Sequence, residues 1–119
     1  MNWYLTKLVY RIICGNGEHT AQFNEQLRLI TAENEEAAFL KATQIGEKEQ
    51  DCFTNINQQL VQWKFINVAD LYKLQEIIDG AELYSMIKET GDAESYINFI
   101  TQKAQNIQHK HTHQILQLF

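Results

Sequence analysis

Proline is absent from this chain of 119 residues, and glycine numbers only five. A chain so poor in both lacks the composition of a long flexible linker. Cysteine occurs twice, at Cys14 and Cys52, without CxxC spacing. The pair reads as two small buried hydrophobes in a reducing compartment, with a disulfide or a redox couple as the lesser alternatives. No uncharged apolar run approaches the ~20 residues that span a bilayer. The opening MNWYLTKLVYRII is interrupted by Lys7 and Arg11 and has neither a basic start nor a small-residue cleavage site, so no signal peptide is expected. No stripe of clustered Lys or Arg occurs, and the formal charge is −5. That field repels phosphate, so neither nucleic acid nor an anionic membrane is an expected partner, while a basic protein is compatible.

What is there is a globular composition. Apolar residues make up 45% of the chain, with two Trp, six Phe and five Tyr. A chain of this length folds as one domain and buries roughly two-thirds of its unfolded surface. Residues 3–14, WYLTKLVYRIIC, read as a strand rich in β-branched and aromatic types, and the turn signal GNG follows at once. Tyr4, Leu8, Tyr10 and Ile12 share one face; Trp3, Leu5, Val9 and Ile13 share the other, broken by Lys7 and Arg11. Residues 22–32 alternate, with Phe23, Leu27 and Leu29 one way and Gln22, Asn24, Gln26 and Arg28 the other. That is the period of a half-buried antiparallel strand, and the loop between the two predicts a hairpin.

The period then changes. Asn34 is a good N-cap, Glu35 and Glu36 suit the first turn, and Ala38, Ala42 and Ile45 form a stripe, predicting a helix over 34–49. A second hairpin follows: a short strand near 51–55, a turn at NINQ, and a long strand over 59–75. Val61, Trp63 and Phe65 are in one phase, and Ile66, Val68, Tyr72 and Leu74 in the other. A β-bulge near 65–67 accounts for the slip, since one extra residue re-aims all that follow. After the Asp79-Gly80 turn, 81–88 alternate like a closing strand. From Asp92, Ala93, Tyr96, Ile97, Ile100, Ala104 and Ile107 keep the helical period, which can run on through His111, Ile115 and Leu118.

Four blocks in this order, WYLTKLVYRI, EQLRLITAENEEAAFLKA, VQWKFINVADLYKL and DGAELYSMI, resemble the bacterial family of unknown function DUF4288. The resemblance covers residues 3–87, and Trp63, Phe65, Val68, Leu71, Tyr72, Asp79, Gly80, Glu82, Tyr84 and Ser85 fall on its positions. Asn34 and Ala37 stand where that family more usually has Ser and Glu. The resemblance implies a compact α+β domain, with no reaction and no cofactor attached to it.

Three constellations carry possible chemistry. In HKHTH, His109, His111 and His113 alternate. On a strand two neighbours could chelate one ion; on a helix only His109 and His113 share a face. Either way a third ligand must come from elsewhere, such as His19, Glu18 or a second subunit, so no native metal site is expected. Trp3, Trp63, Tyr72 and Tyr84 could form an aromatic surface, but aromatics on alternating strands point first to a core. Cys14 with His19 is the nearest Cys/His pair, and a nucleophile needs an oriented base beside it. GNGEHT lacks the following helix that a phosphate cradle needs. The end QILQLF places Ile115, Leu116, Leu118 and Phe119 at a terminus, where such residues dock on their own fold or on a second copy.

The expectation is therefore a single α+β domain over 1–119. One twisted antiparallel sheet in the order ββαβββα carries a helix on one face, with the family-like core at about 1–88 and a C-terminal helical extension at about 89–119. The expected function is that of a small cytoplasmic, non-enzymatic interaction domain, homo-oligomeric or bound to a protein partner, with no catalytic residue, cofactor or metal. The interaction residues are Ile115, Leu116, Leu118 and Phe119. The alternatives are an immunity- or inhibitor-type binder of a basic protein, and a metal-dependent or Cys/His enzyme.

Overall fold

A computed structural model describes the backbone of residues 1–117 and the side chains of residues 1–110. The chain divides into two compact units, Met1–Ser85 and the segment from Met86 onward.

The first unit runs β1 (Asn2–Cys14), β2 (Gln22–Ala32), α1 (Glu35–Lys48), β3 (Asp51–Thr54) and β4 (Leu60–Leu74). The strands form one antiparallel sheet in the order β2-β1-β4-β3. The class is α+β, as the residue patterns predict. The sheet has four strands among the described residues; residues 81–88, expected as a closing strand, make no ladder. Gly15 and Gly17 take positive φ in the β1–β2 loop, a conformation that costs glycine nothing. The register between β1 and β4 shifts twice, skipping Ile66 and Ala69. The first shift is the bulge expected near 65–67. The second keeps Val68 and Leu71 on one face with Phe65, which simple alternation would not allow.

Helix α1 covers one face of the sheet. Asn34 caps it, its Oδ1 accepting from the Ala37 amide at 2.8 Å. Ala38, Ala42 and Gly46 are buried. Small side chains there let α1 sit close on Tyr4, Leu8, Tyr10 and Ile30, with Trp63, Phe65, Val68 and Leu71 packed around them. The buried Thr6 hydroxyl donates to the Arg28 carbonyl at 3.2 Å. No buried side-chain polar atom among the described residues lacks a partner, as a well-formed core requires.

The second unit is α2 (Ala93–Gln117) with a short lead. Asp92 caps it: Oδ1 accepts from the Ser95 amide at 3.1 Å and Oδ2 from the Ser95 hydroxyl at 2.7 Å. These bonds, the Ser95 hydroxyl's first, hold the Asp92 carboxyl below its ordinary value. A lowered folded value means that the cap supports the helix above the carboxylate range and releases it as pH falls through the folded pKa. Acid titration followed by the Cα shifts of residues 93–97 is expected to show their helicity falling with a midpoint below that of a free aspartate. A midpoint at the free value would remove the cap's role.

Candidate functional site

The site begins with the register of the first hairpin. Leu5 pairs with Leu29, Lys7 with Leu27, Val9 with Glu25 and Arg11 with Phe23. Paired residues point to the same side, and the opposite set, Tyr4, Leu8, Tyr10 and Ile30, lies under α1. Phe23, Leu27 and Leu29 therefore face away from the helix layer and stay 55%, 55% and 49% exposed. The apolar side of the half-buried strand is thus the one turned away from α1. The polar set of β2 lies on the α1 side and is held there by its own network. Arg28 donates from Nε and Nη2 to Gln26 Oε1 at 3.1 and 2.8 Å, and its Nη1 meets Glu49 Oε2 at 2.8 Å at the end of α1.

The open face has one covered corner. Tyr72, Leu74 and residues of the following segment, among them Glu76, Ile78, Glu82 and Tyr84, line a cleft of about 540 Å³. Tyr72 and Tyr84 meet edge to face, centroids 5.7 Å apart and planes at 76°, a preferred aromatic geometry. Burial, then the Asp70 carboxylate, raises the Tyr72 phenol above its ordinary value. Beside it Lys7 Nζ lies 3.4 Å from Asp70 Oδ2 and 3.7 Å from Glu25 Oε1. The Glu25 charge, followed by the Asp70 contact, raises the Lys7 amine above its usual value. At the other end Arg11 lies over the Phe23 ring at 5.9 Å, and Lys64 pairs with Arg11.

The residues singled out by sequence fare differently. Trp63 packs on Tyr10 at 6.3 Å on the α1 side, while Tyr72 lies on the opposite face with Leu5; the four aromatics do not make one surface. Cys14 and His19 are neighbours, but not as thiol and base. His19 Nε2 accepts from the Cys14 amide at 3.0 Å, which leaves the proton on Nδ1 to donate to the Thr20 carbonyl at 2.8 Å. Both ring nitrogens are spent on backbone, so the arrangement braces the loop. His109 is exposed on α2, whose backbone continues through 109–113. The side chains of His111, His113, Ile115, Leu116, Leu118 and Phe119 lie outside the described residues. Among the described residues no three His, Cys, Asp or Glu side chains converge as metal ligands, and no helix is long and apolar enough to cross a membrane.

A helix packed on one side of a four-stranded antiparallel sheet, its other side largely open, defines the class of domain. The chain belongs to the DUF4288 family, a domain of unknown function, whose pattern matches residues 3–85. The match ends where the first unit ends. No curated protein matches the chain, and no solved structure does.

Proposed function

We propose that the protein is a non-enzymatic interaction domain that works as a homo-oligomer through the open face of its sheet. The observation carrying this reading is the outward apolar set Phe23, Leu27 and Leu29, broken once by Glu25 and each about half exposed. Apolar side chains grouped on one face mark interaction surfaces, whereas single exposed ones carry no meaning. β2 is also a sheet edge of eleven residues without proline, a kind of strand that natural proteins cover or blunt. The tail residues Ile115, Leu116, Leu118 and Phe119 remain candidates for the same contact.

Native mass spectrometry on the untagged chain at up to about 0.1 mM, a range that captures micromolar association, is expected to show a dimer or larger species. Leu27→Lys is expected to return it to monomer with the fold intact by circular dichroism, because the side chain lies outside the core. A wild-type monomer at that concentration would remove the homo-oligomer. The alternative of an inhibitor-type binder of a basic protein draws support from the charge of the first unit. Residues 1–85 hold seven Lys or Arg against twelve Asp or Glu, a net −5. A monomer in the same measurement favours this binder, and a dimer favours the homo-oligomer.

A further inference from the structure

The open face and α2 complement each other in length and in charge. On α2, Ile97, Ile100 and Ile107 are exposed, and with Ala104 they form one stripe at helical spacing. The charged side chains beside the stripe are basic: Lys103 lies over the Phe99 ring at 4.6 Å, and Lys110 follows two turns on. From Ser95 to the end the chain has no Asp or Glu, while Glu89, Asp92 and Glu94 precede or open the helix. The helix is thus acidic at its start and basic along its body. The open sheet face is graded the opposite way. Arg11 and Lys64 mark one end, and Glu25 and Asp70, which outnumber Lys7 between them, lead to Glu76 and Glu82 at the other.

From the reading of the open face as an oligomer surface, we infer that it is occupied by α2 of a second copy, with Glu94 toward Arg11 and Lys64, and Lys103 and Lys110 toward the acidic end. The lengths agree. Trp3 to Arg11 spans about 26 Å of strand, and Glu94 to Lys110 spans about 24 Å of helix. Other self-contacts fit less well. A parallel pair of helices would set Lys103 and Lys110 of two copies near one another with no carboxylate between Ser95 and the end to answer them, and an antiparallel pair would leave Phe23, Leu27 and Leu29 in water. Edge pairing of two β2 strands would leave the α2 stripe in water. A reciprocal exchange about a two-fold axis makes the helix-on-sheet contact twice, with each copy giving a helix and a face. α1 already shows how this sheet takes a helix, with small residues at the closest approach, and Ala104 is placed to do the same.

The test uses the full chain with Leu27 replaced by benzoylphenylalanine, a position whose exposure leaves the core untouched. Equal amounts of ¹⁴N- and ¹⁵N-labelled chains are unfolded and refolded together so that the copies mix, then irradiated, digested and sequenced by mass. Expected are mixed-isotope pairs joining position 27 to residues 97–107, moving toward 93–100 when the probe sits at Phe23 instead. Pairs of one isotope only would mean that the helix docks in its own chain. Pairs joining position 27 to residues 23–31 would mean edge pairing. Either result, or a dimer with no link to α2, overturns the inference and leaves the oligomer standing; a monomer in native mass spectrometry removes both. Lys103→Glu with Lys110→Glu is expected to weaken the dimer about tenfold at low salt and much less at about 1 M salt, where charges are screened. An equal loss at both would remove the charge argument.

Discussion

Alanine at position 46 lowers the stability of the fold by about 2–3 kcal/mol, the upper part of the range for an overpacked core. The sign opposes helix propensity, since Ala in a helix interior is favoured over Gly by about 1 kcal/mol. Packing decides. Gly46 is buried in the last turn of α1, and a Cβ there would stand 2.6 Å from Phe65 Cδ1 and Cζ, with Cε1 nearer still. No carbon pair tolerates that separation, so the ring or the helix must move. The ring cannot move freely, because Phe65 also packs on Tyr10 with centroids 5.6 Å apart. Urea melts of Gly46→Ala, Phe65→Leu and the double variant provide the check. The double variant is expected to cost less than the two single changes together, since Leu at 65 vacates the contested space. Additive costs would mean that the helix absorbs the strain without the ring.

Gly46 also shows where the sequence was legible and where it was not. Element boundaries came through because each has a local cause: the Asn34 cap, the GNG turn, the period change after Ala32. The bulge at Ile66 came through because it breaks a visible alternation. The closing strand at 81–88 did not form, although its residues alternate, because alternation does not supply a ladder partner. β1 and β4 are paired on both sides, and the segment takes neither free edge, of β2 or of β3; its residues 81–84 line the cleft beside Tyr72 instead. The direction of the open face was not legible for a related reason. The alternation of Phe23, Leu27 and Leu29 says that they share a face, and nothing local says which. That is set by the hairpin register, in which even-numbered residues of β2 pair with even-numbered residues of β1. A slip of one residue would have turned the row inward. Tyr4, Leu8 and Tyr10 outweigh Phe23, Leu27 and Leu29 as core material, and they took the side of α1. Two signals could have found this: Ile30 and Ala32 are in phase with the polar set of β2, and Arg28 is in phase to meet Glu49.

Removing the Tyr10 side chain is the change with the largest expected effect. Tyr10 is 1% exposed, packs on both Trp63 and Phe65, and donates its hydroxyl to the Gly46 carbonyl at 3.0 Å. That carbonyl belongs to the last turn of α1, where carbonyls lack partners within the helix. Tyr10→Ala therefore loses ring packing and a cap together and is expected to cost about 3–5 kcal/mol, the range for emptying a buried aromatic site. Tyr10→Phe separates the two and is expected to cost about 1–2 kcal/mol for the unsatisfied carbonyl alone. Alkaline titration distinguishes the hydroxyl further. Burial first, and the Glu49 carboxylate second, push the Tyr10 phenol above its ordinary 10.0. A raised folded value means that stability is intact below about 10 and falls as pH climbs from there through the folded value, because the unfolded chain gives up the proton first. Tyr10→Phe is expected to make that fall shallower without abolishing it, since Lys7 and Tyr72 are raised as well and titrate in the same direction. An identical alkaline slope in the wild type and in Tyr10→Phe would mean that the hydroxyl is in water and that the cap on α1 is not made.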